Sequence, residues 1–144
     1  MMSSPLSELR PYASRTIAFY DLDPMGVVWH GNYLKYLDEA RMALFDHAGL
    51  DLYGTVRSQP RYAFPIVRSS VKHVAPLLLR DRIEVFARVV DARFKICLEF
   101  EVRREDGLLA ARARSEQVAV RLPELTLEYR IPSEVAQALC PTQP

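Results

Sequence analysis

Cysteine is nearly absent. Cys97 and Cys140 are the only two in 144 residues, far apart and in neither a CxxC nor a His-rich setting, so a disulfide framework or a zinc site has little to build on, and a reducing compartment fits best. Net charge is also missing. Nineteen basic and eighteen acidic side chains nearly cancel, leaving no broad electropositive field to hold a phosphate backbone, and nucleic acid is not expected as a partner. No apolar run approaches the roughly 20 residues needed to span a bilayer, and the opening MMSSPLSELRPYASR lacks the apolar centre of a secretory leader. The expectation is a cytoplasmic protein with no membrane span. G-x-S-x-G, P-loop and Rossmann glycine patterns are likewise absent, so serine hydrolase and nucleotide-enzyme chemistry lose their usual signatures.

What is present is the balance of a folded protein: 49% hydrophobic and 26% charged residues, which leaves no case for disorder. A chain of this length suffices for one domain that buries roughly two-thirds of its unfolded surface. Residues 1–144 are therefore expected to form a single domain, with residues 1–13 as an extended lead-in.

RTIAFY, residues 15–20, is rich in β-favouring types and is ended by DLDPMG, which predicts a strand running into an irregular loop. Tyr33, Leu37, Ala40, Leu44 and Ala48 then recur at steps of three and four, one stripe of a helix over about residues 31–48. Asn32 is the expected N-cap and Gly49 the left-handed terminator. Four strands follow in FPIVRSSVKHV, RIEVFARVV, FKICLEFEV and LLAARARSEQVAVRL. In the third, Phe94, Ile96, Leu98, Phe100 and Val102 face one way while Lys95, Cys97, Glu99, Glu101 and Arg103 face the other, as on a half-buried antiparallel strand. Asp106-Gly107 supplies a tight hairpin turn, and residues 133–140 a short terminal helix opened by Ser133 after Pro132. The class is α+β: one curved antiparallel sheet of about five strands wrapped on one long helix.

The stretch at residues 19–41, FYDLDPMGVVWHGNYLKYLDEAR, packs acids, Pro, Gly, Trp and His into the turn between a strand and a helix. A helix start offers unpaired N–H groups and a positive dipole end, and those N–H groups can polarise a carbonyl. Thioester cleavage needs a carboxylate, to attack the carbonyl carbon or to activate a water, and donors for the developing oxyanion. This loop can supply both.

The run Asp21-Leu22-Asp23-Pro24-Met25-Gly26-Val27-Val28-Trp29-His30-Gly31-Asn32-Tyr33, followed by Leu37-Asp38-Glu39-Ala40-Arg41, resembles the signature of the 4-hydroxybenzoyl-CoA thioesterase family, which includes the acyl-CoA thioesterases associated with the Tol-Pal system. Weaker similarity, including VKHVAPLLLRDRIEV, extends across nearly the whole chain. The resemblance implies a hot-dog fold and acyl-CoA thioester hydrolysis. It further implies Asp23 as the catalytic carboxylate, His30 as an assisting side chain, and the amides of Trp29, His30 and Gly31 as the oxyanion site. Gly26, Val28, Trp29 and Tyr33 would shape the substrate pocket, with Gly26 letting the backbone turn tightly and Pro24 fixing the turn.

Blander roles compete at each position. Asp23 can cap the helix or satisfy loop amides, Asp21 reads as an acid that orders backbone, His30 can be a hydrogen-bonded structural histidine, and Glu39 can pair with Lys35 on the helix surface. Trp29 and Tyr33 read as core or pocket wall. His47 and His73 share no ligand spacing with His30, so no metal is assigned, and Cys97 has no neighbouring His to activate it. By resemblance, Arg93 and Lys95 stand where basic residues bind the nucleotide of coenzyme A. The thioester is substrate, and no cofactor is expected. An exposed sheet edge calls for a second copy, so the expected assembly is a homodimer or a homotetramer made as a dimer of dimers; the resemblance further implies an active site between subunits. Open alternatives are an acyl-carrier-protein thioester as substrate, and a non-catalytic acyl-thioester binding protein on the same fold.

Overall fold

A computed structural model describes residues 5–52 and 61–140. A 3-10 turn, Pro5–Ser7, leads into β1, Arg10–Thr16, and a second 3-10 turn, Phe19–Asp21, precedes helix α1, Asn32–His47. The chain continues through β2 (Tyr62–Ala63), β3 (Ile66–His73), β4 (Arg82–Asp91), β5 (Ile96–Arg104), β6 (Leu109–Gln117), β7 (Val120–Arg121) and β8 (Thr126–Leu127), and then forms helix α2, Ser133–Leu139. Five strands make one sheet in the order β1-β4-β5-β6-β3, and β2-β7-β8 make a small second sheet. Every pairing is antiparallel.

Three expectations move. The first strand runs over Arg10–Thr16 rather than residues 15–20, so the last four residues of the expected lead-in, 10–13, are strand. Pro11 is tolerated because β1 is an edge strand, where a missing N–H costs no ladder bond, and the register shifts between Pro11 and Ala13. The strand then ends because the Asp21 carboxylate accepts the Ala18 N–H at 2.8 Å and draws residues 18–21 into a turn. Phe94 lies before β5 and is 41% exposed, whereas Ile96, Leu98, Phe100 and Val102 are buried as the alternation requires. The helix spans 16 residues, its closest packing is on β1 and β4, and its N-cap is Gly31, not Asn32. Gly49, at φ +77°, and Gly107, at φ +91°, take the left-handed backbone their positions call for.

The inward faces of the five-stranded sheet and of α1 form one hydrophobic cluster that includes Tyr36, Leu37, Leu44, Phe45, Ile83, Leu98 and Phe100. Inside it lies a buried cation. Arg41 is 3% exposed; its Nη1 donates to Ser115 Oγ at 2.7 Å and to Gln117 Oε1 at 2.9 Å, and Gln117 in turn donates to the Phe64 carbonyl at 2.9 Å. The guanidinium stands 5.3 Å from the centre of the Phe100 ring. This network ties the middle of α1 to β6 and so fixes where the start of the helix lies above the sheet.

The outer face carries a ladder of opposite charges, in which Glu99 sits between its cross-strand neighbours Arg88 and Arg114. On β3, the other edge, Ile66 and Val67 are 43% and 54% exposed. No helix among the described residues is long and apolar enough to cross a membrane.

Candidate active site

Asp21 ties the loop between β1 and α1 together. Its side chain is buried, and its carboxylate lies 3.6 Å from the Arg15 guanidinium. Its backbone carbonyl accepts two hydrogen bonds, one from the Trp29 N–H at 2.9 Å and one from Asn32 Nδ2 at 2.8 Å. Asn32 therefore spends its side chain on reaching back to the loop rather than on capping its own helix. Burial, with the Asp21 carboxylate beside it, pushes the Tyr36 hydroxyl well above the ordinary phenol range. Arg15 stacks over the Tyr36 ring at 4.6 Å and pairs with Glu39 at 2.9 Å, which leaves Glu39 bound on the helix surface to a different partner from Lys35.

From Leu22 the chain makes a short out-and-back excursion. Leu22 bridges Val28, the Asp23 N–H donates to the Val27 carbonyl at 2.8 Å, and the Gly26 N–H donates to the Asp23 carbonyl at 2.9 Å. Gly26 turns at φ +81°, a conformation a side chain would strain. The excursion is fastened to the segment after β3 by a Val27–Leu78 bridge and by the Val28 N–H on the Leu77 carbonyl at 2.9 Å. Asp23 sits at its base. Oδ1 accepts from the Met25 N–H at 2.8 Å and from the Val27 N–H at 3.4 Å, which fixes the carboxylate plane, while Oδ2 has no hydrogen-bond partner among the described residues. Loop capping and an unpartnered oxygen thus coexist in one side chain.

An open cleft of about 340 Å³ lies beside this carboxylate, lined by Asp23, Val28, His30, Tyr33 and residues 73–76. The amides of His30, which lines the cleft, and of its chain neighbour Gly31 have no acceptor among the described residues. The Trp29 amide, expected as a third donor, is already given to the Asp21 carbonyl. Trp29 does not line the cleft either. Its ring is half exposed, leans on the His30 ring at 5.3 Å, and lies over Gly31, where a Cβ would collide with it.

Arg93 and Lys95 are not brought to this cleft within one chain. His73 pairs with Ala111, and Ala111 with Val102. Lys95 precedes Ile96, which is separated from Val102 along β5 by about 20 Å at roughly 3.3 Å per residue. Both cations are engaged there, Arg93 with Asp91 at 3.0 Å and Lys95 with Glu116 at 3.0 Å. Burial pushes the thiols of Cys97 and Cys140 up, the wrong direction for a nucleophile. Among the described residues no group of three or more His, Cys, Asp or Glu could hold a metal ion.

His73 is the lining residue that sequence reasoning passed over. Its ring meets the Tyr33 ring edge to face at 4.7 Å. Nothing in the spacing of VKHVAP points to Asp23; only the pairing of β3 with β6 and the Val27–Leu78 bridge bring the two segments together.

Residues 17–139 match the family model described as the thioesterase-like superfamily. Over 112 residues, 76% of this chain and 80% of the relative, the sequence is 30% identical to a 1,4-dihydroxy-2-naphthoyl-CoA hydrolase of Synechocystis sp.. The crystal structure of a 1,4-dihydroxy-2-naphthoyl-CoA thioesterase from Synechocystis superposes with a TM-score of 0.79 at 27% identity, covering 92% of this chain and 97% of that one. A 4-hydroxybenzoyl-CoA thioesterase variant, crystallised with 4-hydroxybenzoyl-CoA, gives a TM-score of 0.77 at 22% identity, covering 88% and 96%, and shares the hot-dog fold.

Proposed function

The chain belongs to the thioesterase-like superfamily, and from that membership together with its cleft we propose that it hydrolyses an acyl- or aroyl-coenzyme A thioester with Asp23 as the catalytic carboxylate. One observation carries the reading. Asp23 has one oxygen anchored by loop amides and the other free, and it lines the same cleft as His30, whose amide and that of the next residue, Gly31, are unused among the described residues. The thioester carbonyl oxygen sits on those amides, where the positive end of α1 favours developing negative charge. Asp23 Oδ2 then attacks the carbonyl carbon, or takes a proton from a water that does so. The C–S bond breaks and coenzyme A leaves as thiolate; the acyl group departs as carboxylate at once where water attacked, and where Asp23 attacked it stays on Asp23 as a mixed anhydride until a water hydrolyses it and frees the side chain. A thioester is already an activated acyl group, so this chemistry calls for no resident cofactor. The His30 side chain, in the same cleft, assists by holding water or the leaving sulfur.

The active unit in this reading is a homodimer built through β3, from which a homotetramer is assembled as a pair of dimers. Ile66 and Val67 are half exposed on that edge, and the cleft wall at residues 73–76 continues directly from it. A second copy would close the cleft that one chain leaves open. Arg93 and Lys95 can serve the nucleotide only of a cleft other than their own chain's. The two free thiols fit a cytoplasmic enzyme.

Release of free thiol from a panel of short, long and aromatic acyl-CoAs tests this directly. Wild-type protein is expected to hydrolyse at least one class, and Asp23→Asn to lower kcat about 10²- to 10⁴-fold, the range of a lost acid–base group. A fully active Asp23→Asn, or wild-type binding without turnover, would overturn it.

A further inference from the structure

We propose that the outer face of the sheet, along the seam between β6 and the edge strand β3, docks an acidic helix of a partner protein. Elsewhere on that face each acid is matched by cations: Arg88 and Arg114 flank Glu99, and Arg103 and Arg112 flank Glu101. At the seam the matching fails. Lys72 lies directly across from Arg112, and Ser70 across from Arg114; like charges set opposite each other on a sheet are destabilising. Arg68 stands across from Glu116, but Lys95 already holds that acid at 3.0 Å. Arg68 and Lys72 are exposed and make no ion pair among the described residues. Four cations, Arg68, Lys72, Arg112 and Arg114, thus share the seam with the single acid Glu116, and the balancing charge is left to come from outside.

The shape of the row selects the partner. Alternate residues on a strand stand about 6.6 Å apart, so the cations from Arg68 to Lys72 form a straight row of about 13 Å. Carboxylates four residues apart on a helix rise by about 6 Å, and a line of them keeps step with this row for about two turns. A flat anionic membrane or a nucleic-acid duplex would be set over Glu99 and Glu101 on β5 as well, where a single helix along the two outermost strands need not be. Side chains alternate along a strand, so Lys72 faces away from the side on which its neighbour His73 lines the cleft, and the row is turned from the substrate's phosphates. Pairing of two β3 edges, as proposed above, would leave this face open and set two such rows side by side. The inference does not depend on the chemistry of the cleft.

The test titrates the full chain into two fluorescent peptides of equal composition, one helical with glutamate at every fourth position and one scrambled, read by anisotropy at low salt. Wild type is expected to bind the patterned peptide about tenfold more tightly than the scrambled one, the scale of a few screened ion pairs, with affinity falling as salt rises. Arg68→Glu/Lys72→Glu should erase that preference and Arg68→Gln/Lys72→Gln should reduce it. Both variants should melt as wild type does, and thiol release from acyl-CoA should stay within about twofold of the wild-type rate, as for surface changes away from a site. No binding, equal affinity for the two peptides, or a preference that survives charge reversal would overturn the proposal. So would tighter binding to vesicles of anionic phospholipid than to the peptide, or a raised KM for acyl-CoA in the charge-reversed variant, since these would give the row to a membrane or to the substrate. None of these outcomes touches the thioesterase reading, which stands or falls with Asp23→Asn.

Discussion

Replacing Arg41 by alanine is expected to cost about 3 kcal/mol of stability, from charge-assisted hydrogen bonds worth roughly 1.5–3 kcal/mol each. Two such bonds are lost, to Ser115 Oγ at 2.7 Å and Gln117 Oε1 at 2.9 Å, and the aliphatic stem leaves a hole beside Phe100. Relief of the cost of burying a charge works in the opposite direction and cancels part of the sum. The contact with Asp38, at 3.3 Å and with the acid 61% exposed, adds little because solvent screens it. Denaturant titration read by fluorescence measures the change, and a calorimetric midpoint should fall by roughly 10 °C. Because Ser115 is orphaned when Arg41 goes, Arg41→Ala/Ser115→Ala should cost less than the two single changes added together, by about 1 kcal/mol. A single change costing under about 1 kcal/mol, or strict additivity of the pair, would refute the view that this buried network joins helix to sheet.

Gly31→Ala places a Cβ into the Trp29 ring; the ring must swing and disturb His30, so kcat/KM should fall at least about tenfold, and Trp29→Ala/Gly31→Ala should recover part of it. Val67→Lys sets a charge on the open edge of β3, and sedimentation should then find monomer with activity lost; an active dimer would rule out that edge as the interface. Tyr36→Phe tests the alkaline limb of stability. The folded hydroxyl keeps its proton to higher pH than the unfolded one, so its contribution is intact below the ordinary phenol value of about 10 and is lost as pH rises above it. Tyr12 and Tyr33 are shifted in the same direction by burial. Melting curves between pH 9 and pH 11, on the order of one pH unit either side of that value, should show the variant losing less than wild type.

The parts of the fold that could be read from sequence are those set by local rules. The stripe from Tyr33 to Ala48, the left-handed Gly49 and the turn at Gly107 each follow from helix period or backbone sterics, and so does the alternation in β5. Features set by long-range partners were not legible. β1 looked like a lead-in because Pro11 and its charged neighbours carry little β character, yet β4 supplies its ladder. The sheet of β2, β7 and β8 consists of two-residue strands with no pattern to detect. At the site, the motif located Asp23 and His30, but the commitment of the Trp29 amide depends on where the Asp21 carbonyl turns. The distance of Arg93 and Lys95 from the cleft depends on the register of the sheet.

The shared acceptor at position 21 is a main-chain atom, and mutation cannot delete it. Drift of the side chain there would weaken the turn around Ala18 while the clasp on Trp29 and Asn32 persisted. Vulnerability passes instead to Asn32, since an aspartate in its place would set oxygen against oxygen and spring the clasp open. Of the two positions, the amide at the helix start is the one that sequence change can least afford to touch.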